Sequence, residues 1–324
     1  MMIDRIEKIS LGGFSQKIHI KTENPANPVL LFLHGGPGVC NRHTVMTTHA
    51  DLTDTFTLAA WDQRGSGGSY WGCDPATLTI DRLVEDAREL VLWLCREYKK
   101  EKIFIIGGSW GSELGTYLCY RYPEHIAAYV GFGQVVNGAV NETLTFQFTL
   151  EAAEKAGDRG ALDILHRVGP PVRGVYKGGF SGMMAQRRIM MKYGGYSPDK
   201  RKRSNFRALV LPMLLSGEYS LSDLIGVAKG YKFVLTAMWP EVGTTDFPAT
   251  CTEFKMPYFI FDGVLDQNTP ASLVQGYFDL IRSPKKELIW FEHSGHNPMG
   301  DEGERFKKLL REKLEIKDAI NDQQ

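Results

Sequence analysis

Ser109 stands in Ile103-Phe-Ile-Ile-Gly-Gly-Ser-Trp-Gly111, where an apolar strand runs straight into a serine set between glycines, the pattern of a nucleophile elbow. A strand-to-helix turn this sharp strains the backbone of its central residue. Side chains two positions to either side would clash with their neighbours, and Gly107 and Gly111 remove that clash. A helix predicted over 112–122 points its N-terminus at the serine and favours negative charge developing there. Upstream, the apolar run 28–33 leads into His34-Gly-Gly-Pro-Gly38, a loop almost free of side chains that can approach a ligand closely. Acyl transfer needs two preorganised N–H donors for the oxyanion. The pair expected is Trp110, just after the serine, and Gly36, with Gly35 as the second choice. His34 precedes the loop and is read as fixing its conformation rather than as a base.

A serine nucleophile needs a base, and the base needs an orienting acid. His296 lies in Ser294-Gly-His-Asn-Pro298, directly after the strand-like run 287–291, where a base can reach the elbow. It is favoured over His293, which is closer to the strand end and suits packing or structural hydrogen bonds. His43, His49, His125 and His166 lack that strand-loop setting, and their default is the surface. For the acid, the apolar run 256–261 ends in Asp262-Gly-Val-Leu-Asp-Gln-Asn-Thr-Pro270, two carboxylates four residues apart. Asp266, released from the sheet by the turn at Gly263, is preferred, whereas Asp262 stays at the strand margin and can cap the turn. An elbow serine followed in the chain by aspartate and then histidine is the α/β-hydrolase order.

The strings His34-Gly-Gly-Pro-Gly38, Trp61-Asp-Gln-Arg-Gly-Ser-Gly67 and Gly107-Gly-Ser-Trp-Gly-Ser112 together resemble the proline iminopeptidase branch of the α/β-hydrolase superfamily. The resemblance covers roughly 15–133 and 254–315 and is much weaker between them. It implies Ser109 as nucleophile, Asp266 and His296 as its partners, and neither a metal nor an organic cofactor. Asp62 and Arg64 match a signature of that branch and are read as loop-fixing partners near the site. Relatives that remove N-terminal proline carry glutamates that grip the substrate ammonium, commonly in a tryptophan-rich string that this chain lacks. Trp239-Pro-Glu241 is a partial echo, so Trp239 and Glu241 are candidate substrate contacts, and Glu142 and Glu218 are further candidates by composition. The reading is a serine hydrolase, foremost an aminopeptidase releasing proline or small residues from short peptides. A carboxylesterase or lactonase is the alternative, and a non-catalytic binding module of the same fold the second. Relatives that act on haloalkanes or epoxides use an aspartate where Ser109 stands.

Strand signals at 17–21, 28–33, 56–61, 103–106, 127–132, 256–261 and 287–291 alternate with helical stretches, as in a mostly parallel sheet covered on both faces. The clearest helix is predicted over 80–98, with Ile80, Leu83, Val84, Ala87, Leu90, Val91 and Leu94 on one face and Thr79 as N-cap. From Gly133 the alternation stops, and helical pieces are separated by glycine and proline clusters. The expected organisation is an α/β core at 1–133 and 253–324 with a helical cap, 134–252, inserted over the ends of the strands.

The 324 residues exceed what one core usually serves, and 43% are apolar. Acidic and basic residues balance at 38 each, which argues against electrostatic capture of nucleic acid or an anionic membrane. The basic run at 200–203 is read as a solvated loop. Five scattered cysteines show neither disulfide nor zinc spacing and suit a reducing compartment. The first residues lack a signal-peptide profile and no run approaches a membrane span, so a cytoplasmic protein with a small-molecule or short-peptide substrate is expected.

Overall fold

Val29–Leu33 contains no polar residue and is buried along its whole length. Its side chains alternate between two cores, with Val29, Leu31 and Leu33 on one face and Leu30 and Phe32 on the other. A strand apolar on both faces must lie inside a sheet covered on both sides. The computed structural model describes residues 2–199 and 212–314, so the basic run at 200–203 lies outside the described residues. Eight strands form one sheet: β1 (Ile3–Leu11), β2 (Phe14–Thr22), β3 (Val29–Leu33), β4 (Thr57–Asp62), β5 (Ile103–Gly108), β6 (Ile126–Phe132), β7 (Tyr258–Gly263) and β8 (Lys286–Phe291). Their order is β1-β2-β4-β3-β5-β6-β7-β8. From β4 to β8 all pairs are parallel, and β1 and β2 add an antiparallel edge.

The principal helices are α1 (Ile80–Glu97), α2 (Trp110–Arg121), α3 (Gly138–Lys155), α4 (Arg159–Val168), α5 (Phe180–Lys192), α6 (Leu221–Val242), α7 (Ala271–Leu280) and α8 (Gly303–Lys313). Thr79 caps α1, its hydroxyl accepting the Arg82 N–H at 3.1 Å. The apolar stripe of α1 packs in the first core with α2, while Phe306 and Leu310 of α8 fill the second against Phe261 and Phe291. Strand β1 goes beyond the sequence expectation. Its burial alternates at every residue, yet both faces carry charge, so no apolar run announces it. No described helix is long and apolar enough to cross a membrane.

Between β6 and β7 the described chain is helical, and its two stems meet over α2. Asn137 and Asp246 form an antiparallel bridge, Gly138 N–H donates to the Thr245 carbonyl at 2.9 Å, and Phe247 N–H to that of Val136 at 3.0 Å. Helix α6 is fastened to the core at both ends. Ser220 and Asp223 form a capping box at its start, and Asp223 also takes Lys17 at 2.7 Å and Arg42 at 3.3 Å. Near its end the Glu241 carboxylate accepts the N–H of Ile80 at 2.9 Å, covering an orphan donor of α1. Between these points Gly226 and Gly230 let α6 lie directly on the loop after β4. A Cβ at either would meet the carbonyl oxygen of Gly67 or Gly65.

Beneath the stems lies Glu113 of α2, fully buried, with Oε1 accepting the Thr245 hydroxyl at 2.6 Å and Oε2 without a partner among the described residues. Burial first, and Glu241 second, push its carboxyl up from 4.5 to about 8, against the Thr245 bond that pulls it down. Between those two values the folded chain keeps a proton that the unfolded chain releases, so stability falls as pH rises through this window and levels off above it. Glu113→Gln keeps an acceptor for Thr245 and removes the cost. Thermal denaturation should show the variant about 2–5 °C more stable at pH 8.5 and little different at pH 5.

Candidate active site

Parallel neighbours β3 and β5 bring two loops together, because Leu33 pairs with Gly107 and the chain leaves both strands at the same end of the sheet. At the end of β5, Ser109 adopts φ 57° and ψ −127°, a conformation that L-residues rarely hold, immediately before α2. Its neighbours have no room for side chains. A Cβ on Gly107 would fall on the Gly111 carbonyl, and one on Gly111 on that of Leu33. A Cβ on Gly35 would stand 3.2 Å from the Ser109 Cβ, so the glycine loop runs directly against the serine. Among the described residues neither the Gly36 nor the Trp110 N–H has a hydrogen-bond acceptor, nor does the Ser109 hydroxyl have a partner.

One side chain ties three loops together, and it was not singled out from the sequence. Gln63 donates from Nε2 to the His34 carbonyl at 3.0 Å and accepts the Trp110 indole N–H on Oε1 at 2.9 Å. Its backbone N–H donates to His34 Nε2 at 3.1 Å, while His34 Nδ1 donates to the Gly35 carbonyl at 2.9 Å. Burial holds the His34 imidazole below its usual range, and an Nε2 that accepts a hydrogen bond is by necessity unprotonated. The flanking residues of the same loop work outward. Asp62 takes Arg42 at 2.9 Å and the Gly68 N–H at 2.8 Å, and Arg64 grips Asp86 with two bonds of 2.7 and 3.0 Å. Of the four histidines left to the surface by default, His43 and His49 are buried. His43 packs against Tyr219, and burial pulls His49 down to about 4. Neither lies on a strand, so no alternating pattern revealed their burial.

Loops after β7 and β8 carry the candidate acid, Asp266, and the candidate base, His296. His296 Nδ1 lies 2.8 Å from Asp266 Oδ2, and both residues are buried. Asp266 is held further by the N–H groups of Asn268 and Thr269, at 2.7 and 3.0 Å, and by the Thr269 hydroxyl at 2.6 Å. Asp262 makes no hydrogen bond to the imidazole among the described residues and accepts the N–H groups of Gly133 at 3.0 Å and Gly263 at 3.1 Å. Burial, and then the nearby Asp266 carboxylate, raise Asp262 well above the ordinary carboxyl range. The backbone of Phe132 and Gly133 joins the serine to the histidine. Ser109 N–H donates to the Phe132 carbonyl at 3.0 Å, and a Cβ on Gly133 would stand 2.8 Å from His296 Cε1. Asn268, also not foreseen, places its side-chain Nδ2 3.1 Å from His296 Nε2. His293 makes no hydrogen bond among the described residues.

The candidate glutamates are dispersed. Glu241 is engaged with α1, and Trp239 donates to the Gly174 carbonyl at 3.0 Å within the helical segment. Glu218 is paired at 2.6 Å with His19 of β2. Only Glu142 lies on the helix that touches the acid loop, through Asn141 Nδ2 to the Asn268 carbonyl at 3.0 Å and the Thr145 hydroxyl to that of Gln267 at 2.9 Å. Its Oε1 is shared by Arg187 and Asn141, and its Oε2 has no partner among the described residues.

Known proteins carry the same architecture. The chain is 28% identical over 307 residues to the probable aminopeptidase YbaC of Bacillus subtilis (strain 168), with 94% of each chain covered. A proline iminopeptidase of Clostridioides difficile (strain 630) is 24% identical over 316 residues, covering 94% of this chain and 96% of that one. The crystal structure of a proline iminopeptidase-related protein from Thermus thermophilus superposes with a TM-score of 0.64 at 20% identity, over 97% of this chain and 98% of that one. The sequence model of the α/β hydrolase fold matches residues 28–216, more than half of the length. With the sharp turn at Ser109 after β5, the glycine loop after β3 and the Asp266 and His296 loops after β7 and β8, this chain belongs to the α/β-hydrolase fold family.

Proposed function

We propose that the chain is a serine hydrolase acting through an acyl-enzyme, and an aminopeptidase that releases proline or another small N-terminal residue from short peptides. One observation carries the reading. Ser109 N–H is bonded to the Phe132 carbonyl, and the imidazole of the buried Asp266–His296 pair lies against the next residue, Gly133. In this reading the Ser109 oxygen attacks the scissile carbonyl while His296 Nε2 takes its proton, and the oxyanion draws on the N–H groups of Gly36 and Trp110. His296 then protonates the leaving amine as the C–N bond breaks. Water, deprotonated by the same nitrogen, frees the acid and restores the serine. The likeness to YbaC and the C. difficile enzyme supports an aminopeptidase.

For the substrate ammonium, Glu142 is the glutamate we assign, since it lies on α3 above the acid loop and has an oxygen to offer. Glu241 and Glu218 are committed elsewhere. One observation favours the esterase or lactonase reading instead: Arg187 already pairs with Glu142, so part of its charge is spent within the protein.

Three measurements test these assignments. A fluorophosphonate should label the protein at Ser109, and Ser109→Ala should lose both labelling and turnover with its melting temperature unchanged. Asp266→Asn should lower kcat about 10³- to 10⁴-fold, since the imidazole loses the partner that fixes its tautomer. Asp262→Asn should do much less, and equal losses at both positions would reverse the choice of acid. Acetylating the amine of a prolyl amide should cost about 2 to 5 kcal/mol, roughly thirtyfold to several thousandfold in kcat/KM. Glu142→Gln should reproduce much of that loss on the free amine and hardly alter a short neutral ester. Comparable hydrolysis of free and acetylated substrates would sink the aminopeptidase and promote the esterase.

A further inference from the structure

The nitrogen that must take the serine proton is already occupied. With Nδ1–H facing the Asp266 carboxylate, His296 has one lone pair, on Nε2, and the Asn268 amide sits on it at 3.1 Å. The Ser109 hydroxyl, for which that lone pair is needed, has no hydrogen-bond partner among the described residues. Asn268 is well placed to hold the ring. Its own N–H donates to Asp266 Oδ1 at 2.7 Å, and its carbonyl accepts from Asn141 of α3 at 3.0 Å. The residue before it is gripped twice more, by the Gly195 carbonyl at 2.9 Å and the Thr145 hydroxyl at 2.9 Å. All the bonds that Asn268 lends to its loop are backbone bonds. Its side chain makes a single one among the described residues, to Nε2.

We propose that Asn268 is a positioning residue that competes with Ser109 for the Nε2 lone pair of His296, so that the imidazole rests on the amide and turns to the serine only when a substrate displaces it. This rests on the serine hydrolase reading above. The amide donates to neutral imidazole and withholds the base from an empty site. It ceases to compete once a carbonyl group lies against Ser109 and the hydroxyl becomes the better partner. The other groups facing the ring leave Nε2 alone. Asp266 and Thr269 lie on the Nδ1 side, the Tyr196 ring lies 4.9 Å away tilted by 55° while its carbonyl accepts the His296 backbone N–H, and Gly133 closes the Cε1 edge. Asp301 is turned to the Gly295 N–H and Asp262 to the N–H groups of Gly133 and Gly263.

The test is the rate at which a small alkyl fluorophosphonate labels Ser109 in the full chain, for wild type, Asn268→Ala and Asn268→Asp. Alanine frees the lone pair, and labelling should run about fivefold faster, the factor one neutral hydrogen bond is worth. Aspartate has the same shape, cannot donate, and holds a protonated Nε2 by a charged bond. Labelling at neutral pH should then slow about tenfold or more and recover as the pH is raised. Because neither change removes a backbone bond, melting temperatures should stay close to that of wild type. A loop anchor without the proposed role would slow labelling in both variants, and a bystander would leave both at the wild-type rate. Either result overturns the competition. Should Asn268→Ala fail to fold, Asn268→Ser, whose side chain is too short to reach Nε2, takes its place with the same expectation. Ser109→Ala is the control, and a wild-type protein that does not react brings down the serine reading and this proposal with it. Labelling of wild type with unchanged Asn268 variants brings down the proposal alone.

Discussion

At Ser109 the chain passes from strand to helix with φ 57°, and it can do so only where three stretches of backbone touch with no side chain between them. Such a conformation costs about 1–3 kcal/mol and persists only if the surroundings enforce it. Here the enforcement comes from the Gly111 backbone lying on Leu33 and the Gly107 backbone lying on Gly111. The same contact decides where the glycine loop begins, because Leu33 ends β3 and His34 opens the loop. Ser109 and the glycine loop are therefore not positioned independently. They are two outcomes of one close approach, and Gln63 then ties both to the loop after β4.

Charge is used to hold this region together. Asp62 and Arg42 are both fully buried, and so is Asp86, which accepts from Arg64, Arg82 and Gln16. Buried pairs of this kind return little net stability once desolvation is counted, but losing one member leaves an unpaired charge in the interior. Their effect is to make the loop between β4 and α1 adopt one arrangement. Asp62 and Arg64 point to opposite sides of that loop, one toward Arg42 and the inserted segment, the other toward α1 and the β1–β2 turn. Gln63 between them faces the site.

The elbow, the glycine loop and the two loops after β7 and β8 were readable because each couples an apolar run to a residue type that only a turn of that kind requires. Glycines at 107 and 111 announced a steric demand, and the structure contains that demand atom for atom. What escaped reading was set by contacts between distant segments. Asn268 and Thr269 lie in the very string quoted for Asp266, yet nothing in their type says that one reaches each side of the same imidazole. Glu241 looked like a substrate contact because of its tryptophan neighbour, and its partner is a backbone N–H 161 residues away. Strand β1, charged on both faces, lacked the apolar run by which the other strands were recognised, and its antiparallel register with β2 is what holds it at the edge.

The helical segment between β6 and β7 is fastened unequally. Helix α6 meets the core backbone to backbone at Gly226 and Gly230, with Asp223 and Glu241 pinned at its two ends. Helix α3 instead springs from a two-residue bridge and rests on the acid loop through the side chains of Asn141 and Thr145. Swinging the whole segment would expose the buried carboxylate of Asp223 and strip the first N–H of α1 in one stroke, whereas parting α3 from the loop after β7 breaks a few neutral hydrogen bonds. The cheap direction of travel is thus the one that tugs on the acid loop. Whatever enters beneath α3 pushes, in the same motion, on the segment that holds the histidine.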